Sequence, residues 1–186
     1  MIKLLMATVL ALAFAATAQP QTFSGVGDDF FDIAISEPMI ATMSHQGTGN
    51  FAVQAFTAAG RPALLVNVIG GYAGVVPVGI RGELPVEITV NANGAWQIEM
   101  VPLTQAPQAS SANRGTGDAV LRVDHLGARA LTARHDGRSN FAIMGHGARW
   151  SLFVNEIGAY SGRVRLQDGT VYLEVNADGN WELTLE

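Results

Sequence analysis

The chain has no cysteine and a single lysine, Lys3. Without cysteine, neither disulfide stapling nor a lipidated cysteine anchor is available. After residue 18 there is no apolar run of membrane-spanning length, which takes about 20 residues, and no segment holds a 3.6 period over three turns. Long helices and helical membrane spans are thereby set aside. Basic charge is also scarce. Beyond Lys3, ten arginines stand against sixteen acids, a formal charge of −6. That balance speaks against a nucleic-acid partner or an anionic membrane surface, which select basic patches.

What is present begins with an export signal. Lys3 supplies the positive start, Leu4 to Ala15 the short apolar core, and Ala16-Thr17-Ala18 the small-residue cleavage pattern. Cleavage after Ala18 is expected, giving a soluble product that is secreted or periplasmic and does not span the membrane.

The mature chain is written twice. GVGDD (Gly25–Asp29) answers GTGDA (Gly115–Ala119), and HQGTGNF (His45–Phe51) answers HDGRSNF (His135–Phe141), both at an offset of 90. LVNVIGGYAG (Leu65–Gly74) answers FVNEIGAYSG (Phe153–Gly162) at 88, and VNANGAW (Val90–Trp96) answers VNADGNW (Val175–Trp181) at 85. The same motifs in the same order, with offsets changing only between them, mean a duplicated unit. Repeat 1 is assigned to residues 23–103 and repeat 2 to 114–186, with 104–113, rich in Pro, Gln, Ser and Ala, as a linker.

Within each repeat the period is two. Trp96, Ile98 and Met100 alternate with Gln97 and Glu99, as Trp181, Leu183 and Leu185 do with Glu182 and Thr184. About seven such segments per repeat, divided by Gly, Asn and Asp clusters, predict an all-β fold of two tandem antiparallel β-sandwich repeats. The strand pattern and its closing VxAxGxW turn resemble small β-sandwich modules of exported bacterial proteins, such as pre-peptidase C-terminal domains and carbohydrate-binding modules. That resemblance implies a binding or accessory role. No site residue is carried over from it.

The shared motifs read as structure before chemistry. Asn-Gly and Asp-Gly at Gly94 and Gly179 predict hairpins with positive φ. Tyr72 and Tyr160 are expected to pack their rings and bond nearby backbone, although a tyrosine can also stack on a sugar. His45 and His135 are expected to be partly buried in hairpin connections, with Gly47 and Gly137 for the turn. No nucleophile–base pair is shared, since Ser44 is matched by Arg134. No catalytic residue is therefore assigned, and no cofactor. A small hydrolase using His45 or His135 with Asp28 or Asp118 would need carboxylate and imidazole within hydrogen-bond reach and open to a pocket. Asp28, Asp29 and Asp32 are the acids closest to a calcium set, but they lack the ligand spacing of a calcium loop, and no metal is assigned.

Residues peculiar to one repeat are the better candidates for function. In repeat 2, Trp150, Arg149, His146 and Tyr172 are the expected ligand contacts, for a carbohydrate at the cell surface or outside it. In repeat 1, Ile40, Val75 and Pro77 fall on outward parity, where repeat 2 has Arg163 and Arg165 opposite Val75 and Pro77. An apolar outward face predicts packing against the other repeat or another protein. The expected function is an exported, non-catalytic binding or accessory protein. The alternative is a protein–protein or structural module of the cell envelope.

Overall fold

The computed structural model describes residues 19–186; the expected export signal lies outside them. Each repeat is a sandwich of two four-stranded antiparallel sheets. In repeat 1 the strands are β1 (Gln21–Val26), β2 (Asp29–Asp32), β3 (Met39–Gln46), β4 (Asn50–Thr57), β5 (Pro62–Ile69), β6 (Tyr72–Val78), β7 (Pro85–Ala92) and β8 (Ala95–Pro102). One sheet runs β1-β8-β3-β6 and the other β2-β7-β4-β5. Repeat 2 copies this with β9 (Ala112–Thr116), β10 (Ala119–Arg122), β11 (Ala130–His135), β12 (Asn140–Gly147), β13 (Ser151–Ile157), β14 (Tyr160–Arg165), β15 (Thr170–Asn176) and β16 (Asn180–Leu185). Its sheets run β9-β16-β11-β14 and β10-β15-β12-β13.

Eight strands replace the expected seven or so. The short DFFD and AVLR strands, β2 and β10, are only four residues long. That is too short to show a period. The segment read as a linker is more ordered than its composition suggests. Leu103–Gln105 form a 3-10 turn, Ala106 and Ala109 are buried, and β9 begins inside it. Pro107 and Ala109 bond the backbone of Arg122, so the segment pairs along the end of β10.

Each core is filled by alternate strand residues. Phe51, Val53, Ile88 and Ile98 are fully buried in repeat 1, as are Phe141, Ile143, Leu173 and Leu183 at the same positions of repeat 2. Where the copies differ, volume is conserved: Ala41 and Met43 in β3 become Leu131 and Ala133 in β11. A small–large pair exchanges places, the kind of swap a packed core tolerates best.

The shared motifs are not hairpins. β7 pairs with β2 and β4, while β8 pairs with β1 and β3. Asn93-Gly94 therefore carries the chain from one sheet to the other, and Ala177–Gly179 does the same in repeat 2. The turns after His45, after Ile69 and after Val26 also change sheet. The hairpins that do form are β4–β5 and β12–β13. Periodicity and turn chemistry look alike for a hairpin and a crossing, and only pairing separates them. Neither Gly94 nor Gly179 has a positive φ. A Cβ on Gly94 would strike the carbonyl of Gln46, and one on Gly179 would lie 2.6 Å from the Cα of Gly137. Glycine is needed there for close approach of two corners. Gly47 and Gly137 likewise make room, each for the histidine two residues earlier. Gly94→Ala is expected to destabilise residues 19–186 by about 1–3 kcal/mol, the usual cost of overpacking a site that backbone closes; urea unfolding of the variant against the parent measures it.

Candidate functional site

Changing sheets interrupts the ladder, so each corner must find partners for its own backbone. The shared motifs supply them to one another at one end of each sandwich. In repeat 1 the Trp96 indole donates to the Gly27 carbonyl (2.9 Å), and Asp28 accepts from the amide of Ala92 (2.9 Å). Asn93 accepts from the amide of Gly49 (2.9 Å), and Gly70 donates to the Gly49 carbonyl (2.8 Å). His45 Nδ1 lies 2.7 Å from the Gly70 carbonyl. Repeat 2 rebuilds the set with Trp181 to Gly117, Ala177 to Asp118, and His135 Nδ1 to Gly158.

The two shared histidines, His45 and His135, are thereby assigned a structural place. A carbonyl only accepts, so Nδ1 carries the proton in both. Each imidazole stacks on the phenylalanine six residues on, at 4.6 Å in repeat 1 and 4.4 Å in repeat 2. His45 and His135 are buried, and their Nε2 atoms are sealed from solvent without a hydrogen bond. His135 Nε2 comes within 3.3 Å of Asp178, but the angle is not that of a hydrogen bond. Asp28 and Asp118 are engaged with backbone and side chains elsewhere. Neither His45 nor His135 therefore has Asp28 or Asp118 as a hydrogen-bond partner.

The acids of the two corners differ in consequence. Asp178 accepts from the amides of Arg138 and Ser139, and Asp136 from Asn180. These bonds hold both carboxyls below their ordinary values, chiefly the Arg138 amide for Asp178 and the Asn180 side chain for Asp136. Repeat 1 has neutral Asn93 and Gln46 at these positions.

Asp118 also joins the repeats. Tyr72, in β6, donates its hydroxyl to Asp118 Oδ2 at 2.6 Å, while Asn176 and the Ala177 amide bond Oδ1. Tyr72 thus bonds a side chain of the other repeat instead of nearby backbone. Burial first, and Asp118 second, push the hydroxyl above its ordinary value, so it stays a donor. Burial likewise raises Asp118, against the pull of its hydrogen bonds. The sign follows from linkage: protonating Asp118 favours the fold below the unfolded value of about 3.9, and this gain disappears as pH rises through the folded value. Beside the pair, the Val75 amide donates to the Asp118 carbonyl (2.9 Å), so the edge of β6 meets the start of β10.

The predicted interaction face lies in this junction. Ile40, Leu103, Ala106 and Val120 form a separate buried cluster, with Val75, Ile80, Val101 and Tyr172 packed on it. Pro77 is buried too. Of the predicted ligand contacts, Tyr172 is thus half-buried in the junction. His146 is buried, with Nε2 2.6 Å from Glu174. A histidine on outward parity is enclosed here because its sheet face turns toward repeat 1. Trp150 is 47% exposed, with the Arg81 guanidinium 4.7 Å from its ring centroid, a cation–π pair across the repeats. Arg149 lies on a different feature, an open cleft of about 710 Å³ lined with Arg165, Ser151, Leu152, Phe153, Gln167 and Asp168. Sequence reasoning missed Arg165 as a cleft residue and Asp118 as the junction's anchor. The signal for Asp118 was the repeated acid after Gly-x-Gly, whose partner lies 46 residues away.

The calcium candidates do not gather. Asp29 bonds the Phe30 amide, Asp28 the Ala92 amide, and among the described residues no three His, Asp or Glu side chains converge as a metal set. No protein-family model and no curated protein matches this chain.

Two outcomes follow. Asp118→Ala strands the Tyr72 hydroxyl and two donors of repeat 2, and is expected to cost about 1–3 kcal/mol, against about 1 for Tyr72→Phe, which leaves Asp118 its other partners; chemical unfolding ranks them. As pH falls from about 4 toward 2, Asp178 loses its charge-assisted bonds, since a lowered pKa gives stability only above it. The amides of Arg138 and Ser139 should then lose hydrogen-exchange protection, while that of Gly49, held by Asn93, should keep it.

Proposed function

We propose that the mature chain is an exported, non-catalytic binding or accessory protein whose partner engages the open end of repeat 2. One contrast carries this reading. The outer edge and face of β6 in repeat 1 are covered by repeat 2, whereas β14, the same strand of repeat 2, has no such neighbour among the described residues. At that end the apolar Val75 and Pro77 are replaced by Arg163 and Arg165, both exposed. Arg165 and Arg149 line the adjoining cleft. A basic end on a chain of negative overall charge suits an acidic partner. The buried, carbonyl-bonded histidines support a role without catalysis.

The carbohydrate reading is supported by the cleft. Two guanidiniums, the Gln167 amide, the Ser151 hydroxyl and the Asp168 carboxylate surround the exposed Leu152; a polar rim with two cations against one acid, about an apolar patch, suits a uronic-acid polymer. Trp150 is a weaker platform than its exposure suggests, since Arg81 occupies one of its faces. Titration of the mature protein against neutral and uronic-acid glycans tests this. Binding to the acidic set, lowered about tenfold or more by Arg149→Ala and screened by salt, is the expected result. Equal response to neutral and acidic glycans, or none, would remove carbohydrate from the reading and leave the protein–protein module of the envelope.

A further inference from the structure

The two repeats meet head to tail, so the junction uses different surfaces of each, and both surfaces recur at the ends of the chain. Repeat 1 offers β6 and its neighbours; repeat 2 offers β10 and β15. The unused counterparts are β14 on repeat 2 and β2 with β7 on repeat 1. We propose that a second copy of this chain docks by its β2 edge on the open β14 edge, repeating between molecules the junction that joins the repeats within one. The inference rests on the reading above and names the occupant of that basic end.

Duplication alone would make the two ends alike; what points to a partner is how they have diverged together. Within the chain, Tyr172 packs in the cluster that contains Val75. By the repeat offsets, the free ends have Glu87 for Tyr172 and Arg163 for Val75. Apolar packing has become opposite charge on the two ends at once. Arg122, ion-paired with Asp124, and the buried Pro77 have Asp32 and Arg165 as their counterparts at the free ends, again of opposite charge. Volume has shifted in step as well. Ile40, 5% exposed, becomes the small Ala130, while Val120, 2% exposed, becomes Phe30, a larger side chain left 72% exposed on β2.

The remaining parts are in place. Tyr160 keeps its tilted ring contact with Phe141 as Tyr72 does with Phe51, and its hydroxyl has no hydrogen-bond partner among the described residues. It borders a groove with Ser161, Arg134, Asp136 and Glu182, the place corresponding to that where Asp118 meets Tyr72. Asp28, the counterpart of Asp118, stands at the head of β2. Asp32 and Glu87 lie directly opposite each other across β2 and β7, a like-charged pair that is unfavourable alone and that arginine would relieve. Arg163 now pairs with Glu186 at 2.9 Å, so the new contact shares that guanidinium.

A heterologous contact of this kind extends into chains or rings instead of closing as a dimer. Analytical ultracentrifugation of the mature protein at low salt should show a mass that climbs with concentration through successive copies and falls with added salt. Arg163→Glu with Arg165→Glu, and separately Asp32→Arg with Glu87→Arg, should each weaken self-association by about 100-fold or more, because like charges then face each other. Mixed, the two variants should associate again, which also proves both folded. Phe30→Ser, at an exposed residue, is a further variant expected to weaken assembly without adding or removing a charge. A wild-type protein that stays monomeric at low salt and high concentration overturns the inference. So does assembly indifferent to all three variants. A monomer that still binds acidic glycans removes self-association alone, and one that binds none removes the wider reading of the basic end with it.

Discussion

Each chain crossing between the two sheets leaves backbone groups without a ladder, and the rest of the structure follows from how those groups are paired. Four corners meet at one end of each sandwich, and each motif completes another: indole to carbonyl, carboxylate or amide to N–H, imidazole to carbonyl. A buried unpaired peptide group costs as much as a lost hydrogen bond, so a corner residue changes only to one that keeps its bond, as Asn93 and Asp178 do. This explains why residues that look like a histidine active site recur in both repeats at fixed spacing. Their recurrence records a shared lattice of backbone bonds beneath a His–Phe–Tyr aromatic stack.

The same lattice makes the tandem arrangement. Asp118 serves the corner of its own repeat through Ala177 and Asn176, and its second oxygen is left to receive Tyr72. One residue therefore links local closure to the contact between repeats. Around it, β6 loses its open edge and an apolar face is withdrawn from water, which removes an aggregation hazard inside the molecule. At the ends of the chain the hazard is handled with charge. The β2 end is acidic and the β14 end basic, and that polarity gives the molecule a direction.

Much of this was legible in the sequence. The duplication, the all-β class, the alternating core and the outward parity of Ile40, Val75 and Pro77 follow from period and offset, because a strand shows its neighbours' side only through every second residue. The position of Asp118 was visible as a repeated acid, but its partner was not, since the bond spans two units that sequence period describes separately. Tyr172 stood on outward parity and His146 beside a loop, yet the sheet face that carries both is covered, so neither is open to solvent. The short strands β2 and β10, and the ordered 103–111 segment, left no period to read.

Residue order by itself thus determined the strands, their two faces and the fact of repetition, all of which arise from local backbone geometry. Only the tertiary structure decided which strands pair. It turned supposed hairpins into crossings and set glycine at Gly94 and Gly179 by close approach instead of φ. It also placed one apolar face in a junction and left its charged counterpart open. Pairing is a contest among distant segments with the same period, and the energy that settles it lies in packing and buried hydrogen bonds, which no single stretch of sequence contains.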